Sequence, residues 1–428
     1  MEPARTSDPA WHFATKILFR FTFVYSLLYI FPSPFDFLPF TDWLGNYSTQ
    51  LWDKFVLWMG KEVLEITYDF PIAFNGSGDR TYDYIRNLLI MLAAVIGCTG
   101  WTLLDRQRRD YRTLFYWLTV IMRYYLAVVM FGYGFAKVFK TQFPDLRLER
   151  LLTTYGDSSP MGLVWNFMGY SWSYNVFTGG AEVLGGLLLL FRRTTTLGAL
   201  VVIGVMSNVA MLNFSYDVPV KLYSVNLLLI ALFLLTKHVQ RLVDFFILNR
   251  PVPAVDLMPP YSDKRIDRAR WVVKTLFIGY VLFTSISQVI ELQKTRGNPP
   301  VPPLYGIYDA QIFIRNGDTL APVLTDPTRW RKLLIDVNNR VSIKYMNDQL
   351  ERIGFRPDTL AQTITVFTLA DTARKSLLHY TQSTSENFVF RGRWRDDSVH
   401  IYLKRFDPND FLLLNRGYHW INERPFNR

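Results

Sequence analysis

The sequence has almost no cysteine and little histidine, and this limits the redox and metal chemistry open to the chain. Cys98 is the single cysteine, so neither an internal disulfide nor a pair of reactive thiols can form. Iron–sulfur clusters and Cys-rich zinc sites need several cysteine ligands. The five histidines lie outside the apolar segments, which excludes a bis-histidine haem inside a bilayer; they are His12, His238, His379, His400 and His419. We therefore expect no haem, no iron–sulfur cluster and no zinc.

Charged residues are also scarce, and this indicates a membrane protein. Only 19% of the residues are charged, whereas 50% are hydrophobic and 16% aromatic, which is unusual for a soluble protein. The apolar residues concentrate before about residue 290, and the rest of the chain has ordinary polarity. The net charge of +11 comes largely from short basic patches between apolar segments, where such residues set topology. We therefore expect a lipid bilayer as partner and no nucleic acid.

Seven apolar segments approach the length of about 20 residues that a transmembrane helix needs. The first follows a polar lead without a small-residue cleavage site, which favours a retained helix over a signal peptide. The predicted spans are Phe13–Phe31, Ile85–Leu104, Thr113–Val138, Tyr174–Phe191, Thr196–Leu212, Lys221–Thr236 and Val272–Val289.

The basic loops predict the orientation of these helices. Loops 105–113, 192–195 and 237–271 hold 13 Lys or Arg, and the alternate loops hold six in a much longer stretch of chain. Because basic loops stay in the cytoplasm, the N-terminus should be cytoplasmic. After seven crossings, the C-terminal part should be extracytoplasmic. The first outer loop contains "LWDKFVLWMGKEVL", which predicts an interfacial amphipathic helix or a lid over an outer cavity.

The C-terminal part has the pattern of an antiparallel β domain. After the stiff segment "PPVPPLYG", short alternating runs recur about every ten residues between Asp, Asn, Gly or Ser. The fold class is therefore a membrane all-α bundle of about seven helices followed by an all-β sandwich or barrel. "DTARKSLLHY" fits a strand or a short helix. The predicted strands are "YDAQIFIR", "KLLIDV", "RVSIKYM", "TITVFTL", "NFVFRGRW", "SVHIYLKRF" and "FLLLNRGYHW".

Two ionisable residues fall at matching depth inside the predicted helices. Arg123 lies about 16 Å along the third helix from Arg112, and Glu182 lies about 15 Å from Arg192 on the fourth. An unpaired charge at that depth costs at least about 2.5–3.5 kcal/mol on insertion scales. We therefore expect Arg123 and Glu182 to meet inside the bundle. Two interpretations stay open: a structural pair that sets helix register, or the lining of a polar cavity for a ligand or a proton.

A second polar group is predicted toward the outer side of the membrane. It comprises Lys137, Asn208, Asn213, Tyr216, Asp217 and Lys221. The last four belong to the short hairpin "LNFSYDVPVKLYS". Asp217 and Lys221 fit an exposed i,i+4 ion pair. The alternative is that the hairpin forms the rim of a cavity, with Asn213 and Asp217 pointing inward.

Three stretches resemble the DoxX family of bacterial membrane proteins: "FGYGFAKVF", "YNVFTGGAEVLGGLLLLFRRTTTLGAL" and "NVAMLNFSYDVPVKLYS". The family's marks fall on Gly134 to Lys137 and on Glu182. "LLLNRGYHWINERPFNR" is similar to the end of larger, uncharacterised members with extra helices and a polar tail. Four domains are expected. Residues 1–112 hold helices 1–2 with their amphipathic loop, and 113–240 hold the DoxX-like four-helix core. Residues 241–298 hold a cytoplasmic connector with helix 7, and 299–428 hold the extracytoplasmic β domain.

The resemblance implies a bacterial cytoplasmic membrane and a loose function. Some members are linked to quinone-coupled sulfur oxidation or to membrane thiol and oxidative-stress complexes, and the fold is related to secretory cargo receptors. The first hypothesis is a redox component with a quinone or other ligand at Arg123, Lys137 and Glu182. The second is a non-enzymatic scaffold for a lipid or an exported protein. The third is a transporter, although the helices have no evident repeats. Enzyme activity, redox partner and ligand identity stay open.

Overall fold

The computed structural model describes residues 10–33, 40–254 and 264–427. The chain divides into two compact units. We call the first the helical unit; it comprises Met1–Phe139 and Ser171–Ile290. We call the second the barrel unit; it comprises Lys140–Tyr170 and Glu291–Arg428. Part of the predicted cytoplasmic connector, residues 255–263, lies outside the described residues.

The helical unit contains most of the long helices of the chain. The apolar runs predicted to span the membrane all form helices, and the amphipathic stretch of the first outer loop forms α2 and a π-helical turn at Met59–Val63. The helices of this unit are α1 (Phe13–Ile30), α2 (Asp42–Trp58), α3 (Thr81–Leu104), α4 (Arg112–Val138), α7 (Trp172–Leu189), α8 (Thr195–Ser215), α9 (Lys221–Leu235), α10 (Val239–Phe246) and α11 (Lys264–Leu292).

Six of the described helical segments are long and apolar enough to cross a membrane. They correspond to six of the seven predicted spans. The predicted span Lys221–Thr236 is extended through α10 to Phe246. The remaining prediction, Tyr174–Phe191, forms α7, which is not among the six. Asn175, Glu182 and the glycines of α7 lower its hydropathy, so its crossing stays a prediction. The chain is a multi-pass membrane protein with a helical membrane part.

Helix α4 lies in the interior of the helical unit. Leu118, Met122, Leu126 and Met130 recur every four residues along it, and each is at most 2% exposed. Residues four apart lie on one face of a helix, so this row forms a continuous apolar ridge. The ridge belongs to a core that includes residues of α1, α7, α8 and α9. This packing leaves the polar side chains of α4 enclosed by neighbouring helices.

The C-terminal β domain is a closed barrel. Eight strands follow one another as antiparallel neighbours, and the last pairs with the first from Ile307–Phe406 to Arg315–Val399. The predicted sandwich or barrel is therefore a barrel. The strands are β1 (Gly306–Arg315), β3 (Trp330–Asp336), β4 (Arg340–Tyr345), β5 (Leu350–Asp358), β6 (Thr363–Thr368), β7 (Ser376–Gln382), β8 (Asn387–Trp394) and β9 (Asp397–Phe406), with the two-residue β2 (Asp318–Thr319) beside β1.

The interior of the barrel is filled by side chains. Alternate residues point inward, as Val399, Ile401 and Leu403 do on β9. The rings of Trp330 and Trp394 meet edge to face with their centroids 5.7 Å apart. An eight-stranded barrel is just wide enough for its own side chains to fill it. This packing supports a structural domain rather than a ligand cup.

The sequence predicted most strands correctly, with two errors. It missed β5, whose Pro357 and charged residues weaken the alternation. It also predicted a strand at "FLLLNRGYHW", which was wrong. In the structure, Pro408–Asp410 forms a 3₁₀ turn and Leu412–Asn415 forms the short helix α12. Because β9 already pairs with β1, the closed barrel has no free edge for a further strand.

The segment between α4 and α7 belongs to the barrel unit, although the sequence placed it in the four-helix core. It contains α5 (Leu148–Leu151) and α6 (Pro160–Tyr170). The amide of Leu148 donates to Asp336 Oδ2 at 3.1 Å, and the Leu148 side chain packs with Ile307 and Leu334. Glu149 accepts from Ser342, and from Arg352 at 2.8 and 3.2 Å.

These contacts shift the pKa values of two barrel-unit carboxyl groups in opposite directions. The hydrogen bonds from Arg352 lower the pKa of Glu149 below its usual range. Burial raises the pKa of Asp336 because the charged form loses its hydration. The segment is therefore held to the barrel by an ion pair, a buried carboxylate and a small apolar cluster.

Candidate functional site

The interior of the helical unit contains a buried ion pair between α4 and α7. Lys137 Nζ lies 2.6 Å from Glu182 Oε1 and 2.7 Å from Oε2. The two side chains are only 6% and 1% exposed. Both charges are thus removed from solvent, and each has the other as a partner. Such a pair is costly to remove from water and tolerable only when it is well bonded.

Glycines bring α4 and α7 close enough for this pair to form. A Cβ on Gly134 would lie 2.6 Å from the carbonyl oxygen of Gly179, and one on Gly179 would lie 2.8 Å from the Cβ of Lys137. Either contact is too short for a real side chain. Small residues allow this close approach of membrane helices, and here they make room for the stem of Lys137.

The predicted partner of Glu182 was wrong. Glu182 pairs with Lys137, whereas Arg123 Nη1 lies 3.4 Å from Thr195 Oγ1 and its guanidinium lies 5.2 Å from the centre of the Tyr124 ring. Gly134 packs against the turn of α7 on either side of Glu182, so Glu182 lies level with Gly134, eleven residues beyond Arg123 along α4. The two helix ends used for counting therefore do not lie at one depth, and the count matched the wrong pair. The Nε of Arg123 is buried without a hydrogen-bond partner among the described residues.

A row of tyrosines continues from the ion pair into the bundle. Lys137 Nζ lies 5.1 Å from the centre of the Tyr133 ring, and Tyr133 stacks on Tyr223 of α9 at 6.3 Å. The hydroxyls of Tyr223 and Tyr125 are 3.4 Å apart. We call Tyr125, Tyr133 and Tyr223 the tyrosine row. It places three hydroxyl groups and a cation–π contact among the apolar side chains of the interior.

A second polar cluster joins α1, α3 and α9. Tyr25 Oη lies 2.6 Å from Asn226 Oδ1 and 2.9 Å from Asn87 Oδ1. Asn226 is buried and lies one turn after Tyr223. The side-chain amide of Asn226 also donates to the carbonyl of Leu222 at 2.9 Å. This cluster joins the N-terminal helices α1 and α3 to α9 through polar groups.

Of the two hairpin residues predicted to point inward, only Asn213 is buried, and a cavity rim at the hairpin stays a prediction. Asn213 is buried, and its Nδ2 lies 3.4 Å from the carbonyl oxygen of Val220 within the hairpin itself. The Asp217 side chain is 86% exposed and bonds Lys221 at 2.8 Å. Asp217 therefore does not point inward, and the alternative of an exposed i,i+4 pair was right. Asn208 and Tyr216 are also exposed.

The hairpin is fastened to the chain before α3. The carboxylate of Asp79 accepts from the amides of Lys221 and Leu222 at 2.8 and 2.9 Å, at the start of α9. The amide of Gly78 donates to Pro219 O at 2.7 Å. A carboxylate at a helix N-terminus satisfies open amides and favours the helix dipole. The charge of Asp79 thus stabilises the start of α9.

Of the eight predicted site residues, the structure brings Lys137 and Glu182 together and separately joins Asp217 to Lys221. A binding role for Arg123, Lys137, Glu182, Asn208, Asn213, Tyr216, Asp217 and Lys221 stays a prediction. Sequence reasoning missed the tyrosine row, Asn226 and Asp79. Tyr125 and Tyr133 are eight residues apart and so share a helix face, and Asn226 is a polar residue within an apolar run. Those signals could have identified them.

The chemistry of the interior is that of hydrogen bonding and charge. Within the described ranges, no three His, Cys, Asp or Glu side chains are grouped as a metal site would require. The buried pair offers an ammonium donor and a carboxylate acceptor, and each hydroxyl of the tyrosine row can both donate and accept a hydrogen bond. Together they could bind an amphipathic molecule with oxygen atoms or move a proton between adjacent groups.

The residues of the buried pair lie within a region that is shared with known proteins. The DoxX family model matches residues 118–214, which include most of α4 and the whole of α7. The chain is 32% identical over 124 residues to an uncharacterised protein of Bacillus subtilis strain 168, YwoB; this match covers 29% of the chain and 79% of YwoB. No solved structure matches the chain. The match covers most of YwoB, and the DoxX model spans both Lys137 and Glu182. The chain therefore belongs to the DoxX family of membrane proteins.

Proposed function

We propose that this protein is a quinone-linked, ligand-binding component of a membrane redox system, with its site in the helical unit. The observation that carries the proposal is the convergence of Lys137, Glu182 and the tyrosine row inside an apolar bundle. Buried ionisable groups in a membrane are costly, so they favour a functional role over a purely structural one. A quinone has an apolar body and carbonyl oxygens, which suit an apolar interior with a few hydrogen-bond donors.

The roles of the residues follow from their chemistry. The ammonium of Lys137 would donate to a quinone oxygen, and Glu182 would hold that ammonium in place and compensate its charge. The tyrosine row would supply further donors and stacking faces. Because the glycine contact between α4 and α7 is tight, entry of a ligand requires these helices to separate locally. The redox centre or electron donor would come from a partner.

Quinone analysis of the purified protein tests this proposal. The protein would be taken from membranes in a lipid-retaining polymer, and its quinone content measured by extraction and mass spectrometry. The test variant is Lys137→Met with Glu182→Leu, which removes both charges of the buried pair. The matched control is Asp217→Asn with Lys221→Met, which removes both charges of the exposed pair. Near-stoichiometric quinone in the wild type and control, and its loss from the test variant, would support the proposal. Equal content in all three would refute it.

A non-enzymatic scaffold for a lipid or an exported protein is the second candidate. It is favoured by the apolar surface of the C-terminal segment, where Tyr418, Trp420 and Ile421 are 76%, 89% and 78% exposed. Deletion of residues 412–428 leaves the barrel strands intact and should abolish a stoichiometric partner recovered by cross-linking in membranes. A partner that persists after this deletion would count against the scaffold.

We also propose a bacterial cytoplasmic membrane, a cytoplasmic N-terminus and an extracytoplasmic barrel. The basic loops support this orientation, and it requires α7 to cross the membrane together with the six apolar segments. Cys98 is the single cysteine, so a Cys98→Ser background permits labelling of one introduced cysteine at a time. Thiol reagents that cannot cross the membrane should label a cysteine at Leu360 in intact spheroplasts but should not label one at Arg108.

A further inference from the structure

A cavity lies between the start of α1 and the end of α3, and the proposed function does not use it. Its volume is about 330 Å³, and its lining residues are Phe13, Lys16, Arg20, Thr102, Leu103 and Arg106. These residues lie at the start of α1 and at the end of α3, both of which are candidate membrane spans. The cavity therefore opens at one surface of the bilayer.

Among the residues that the structure describes, the lining of this cavity carries three cations and no carboxylate. Lys16 Nζ donates to the carbonyl of Arg108 at 2.9 Å, and Arg106 Nε donates to the carbonyl of Leu103 at 3.2 Å. Carbonyl oxygens satisfy hydrogen bonds but do not neutralise a unit charge. Each of these two side chains also has further N–H donors. The cavity thus has a surplus of positive charge beside an apolar medium.

Arg20 forms the buried wall of the cavity. It is 2% exposed, and it donates to Tyr111 Oη at 3.0 and 2.6 Å, to Thr102 Oγ1 at 2.9 Å and to Asp105 O at 2.7 Å. All of these acceptors are neutral. The carboxylate of Asp105 accepts from Tyr111 Oη at 2.9 Å. The Tyr111 hydroxyl thus lies between this carboxylate and Arg20. The guanidinium is therefore fixed in orientation, while its charge has no direct anionic partner in the described ranges of the chain.

The apolar residues around the cavity face the hydrocarbon. Phe13 and Leu103 in the lining are 66% and 57% exposed, and the neighbouring Leu104 is 90% exposed. An occupant would thus meet cations on one side and lipid-facing apolar side chains on the other. We infer that this cavity binds the phosphate group of an anionic phospholipid, with Lys16 and Arg106 on the phosphate oxygens and the acyl chains along Phe13 and Leu103.

Lipid titration of the full-length protein tests this inference. The delipidated protein in a non-ionic detergent would be titrated with phosphatidylglycerol or phosphatidylcholine, and bound lipid counted by native mass spectrometry. The test variant is Lys16→Gln with Arg106→Gln. The matched control is Arg108→Gln with Arg109→Gln, which removes two charges from the same loop outside the cavity. Thermal unfolding would check that both variants fold.

We expect phosphatidylglycerol to bind in preference to phosphatidylcholine, and the test variant to bind it about 25-fold more weakly, from about fivefold for each cation. The control should retain its affinity within about twofold. Equal weakening in both variants would overturn the inference, because the attraction would then be diffuse. Equal binding of the two lipids would also overturn it. Displacement of the lipid by inorganic phosphate at the same concentration would assign the cavity to free phosphate instead.

Discussion

Two lysine–carboxylate pairs of the helical unit, Lys137–Glu182 and Lys221–Asp217, have the same chemistry and opposite surroundings. The Lys137–Glu182 side chains are 6% and 1% exposed, whereas those of Lys221 and Asp217 are 22% and 86% exposed. An exposed pair gains little because water screens it, and a buried pair is costly to break because the remaining charge has no compensation. Burial, rather than the presence of a charge in an apolar stretch, therefore decides which pair the fold depends on.

Removing one partner of the buried pair should have the largest effect. Lys137→Ala leaves the Glu182 carboxylate buried without a counter-charge. We therefore expect the free energy of unfolding to fall by about 3–5 kcal/mol. The measurement is thermal unfolding of the purified protein in detergent, together with its yield in the membrane. Lys221→Ala is the matched control at the exposed pair and should unfold much closer to the wild type.

The Lys137→Met, Glu182→Leu variant separates the effect of an uncompensated buried charge from the effect of losing the pair's hydrogen bonds. Because no buried charge remains, its unfolding temperature should recover most of the loss seen in Lys137→Ala. A double variant as unstable as Lys137→Ala would mean that the pair's hydrogen bonds themselves, rather than the uncompensated charge, hold α4 and α7 together.

The anchor of the hairpin should give the next largest effect. Asp79→Ala removes the acceptor for the amides of Lys221 and Leu222, so we expect a loss of about 1–2 kcal/mol, as for a helix cap. Hydrogen exchange at the first turn of α9 should speed up while exchange in α4 stays unchanged. Asp69→Ala, in the exposed loop before α3, is the control and should leave α9 protected. Unchanged protection in Asp79→Ala would show that the hairpin is held by its own contacts.

A smaller, pH-dependent effect is expected at Glu149 of the barrel unit. Its pKa is lowered by Arg352, so its contribution is present above its unfolded pKa of about 4.3 and is lost as the pH falls through the folded pKa. Because Arg352 is 61% exposed, this contribution is at most about 1 kcal/mol. Glu149→Gln should therefore lower the unfolding temperature at pH 7, and this effect should shrink progressively as the pH falls below about 4.3.

The smallest effect is expected at the exposed end of the hairpin pair. Asp217→Ala removes a solvated carboxylate, while Lys221 keeps Asp79 at 3.7 Å. We expect a change within about 0.5 kcal/mol, measured by thermal unfolding at low and high salt. A loss comparable to that of Lys137→Ala would contradict the difference between the two pairs.

The sequence predicted the architecture well because apolar length and alternation are local properties. Runs such as Thr113–Val138 and "SVHIYLKRF" contain their own periodicity, so helices and strands were recognised without knowledge of their neighbours. The failures came from non-local contacts. Arg123 and Glu182 were matched by counting from the helix ends, but the packing of Gly134 against Gly179 sets a different register and brings Lys137 to Glu182. "FLLLNRGYHW" alternates like a strand, yet the closed barrel offers it no edge.

By itself, the sequence determined a membrane protein with a helical part, a β domain and ionisable residues in its apolar helices, because hydropathy and periodicity are read along the chain. The tertiary structure alone decided which charges meet. It placed Gly134 against Gly179, made Lys137 the partner of Glu182, left Asp217 in solvent and grouped residues 140–170 with the barrel. These outcomes depend on contacts between residues far apart in the chain, and the energies that select them exist only once the helices and strands have packed.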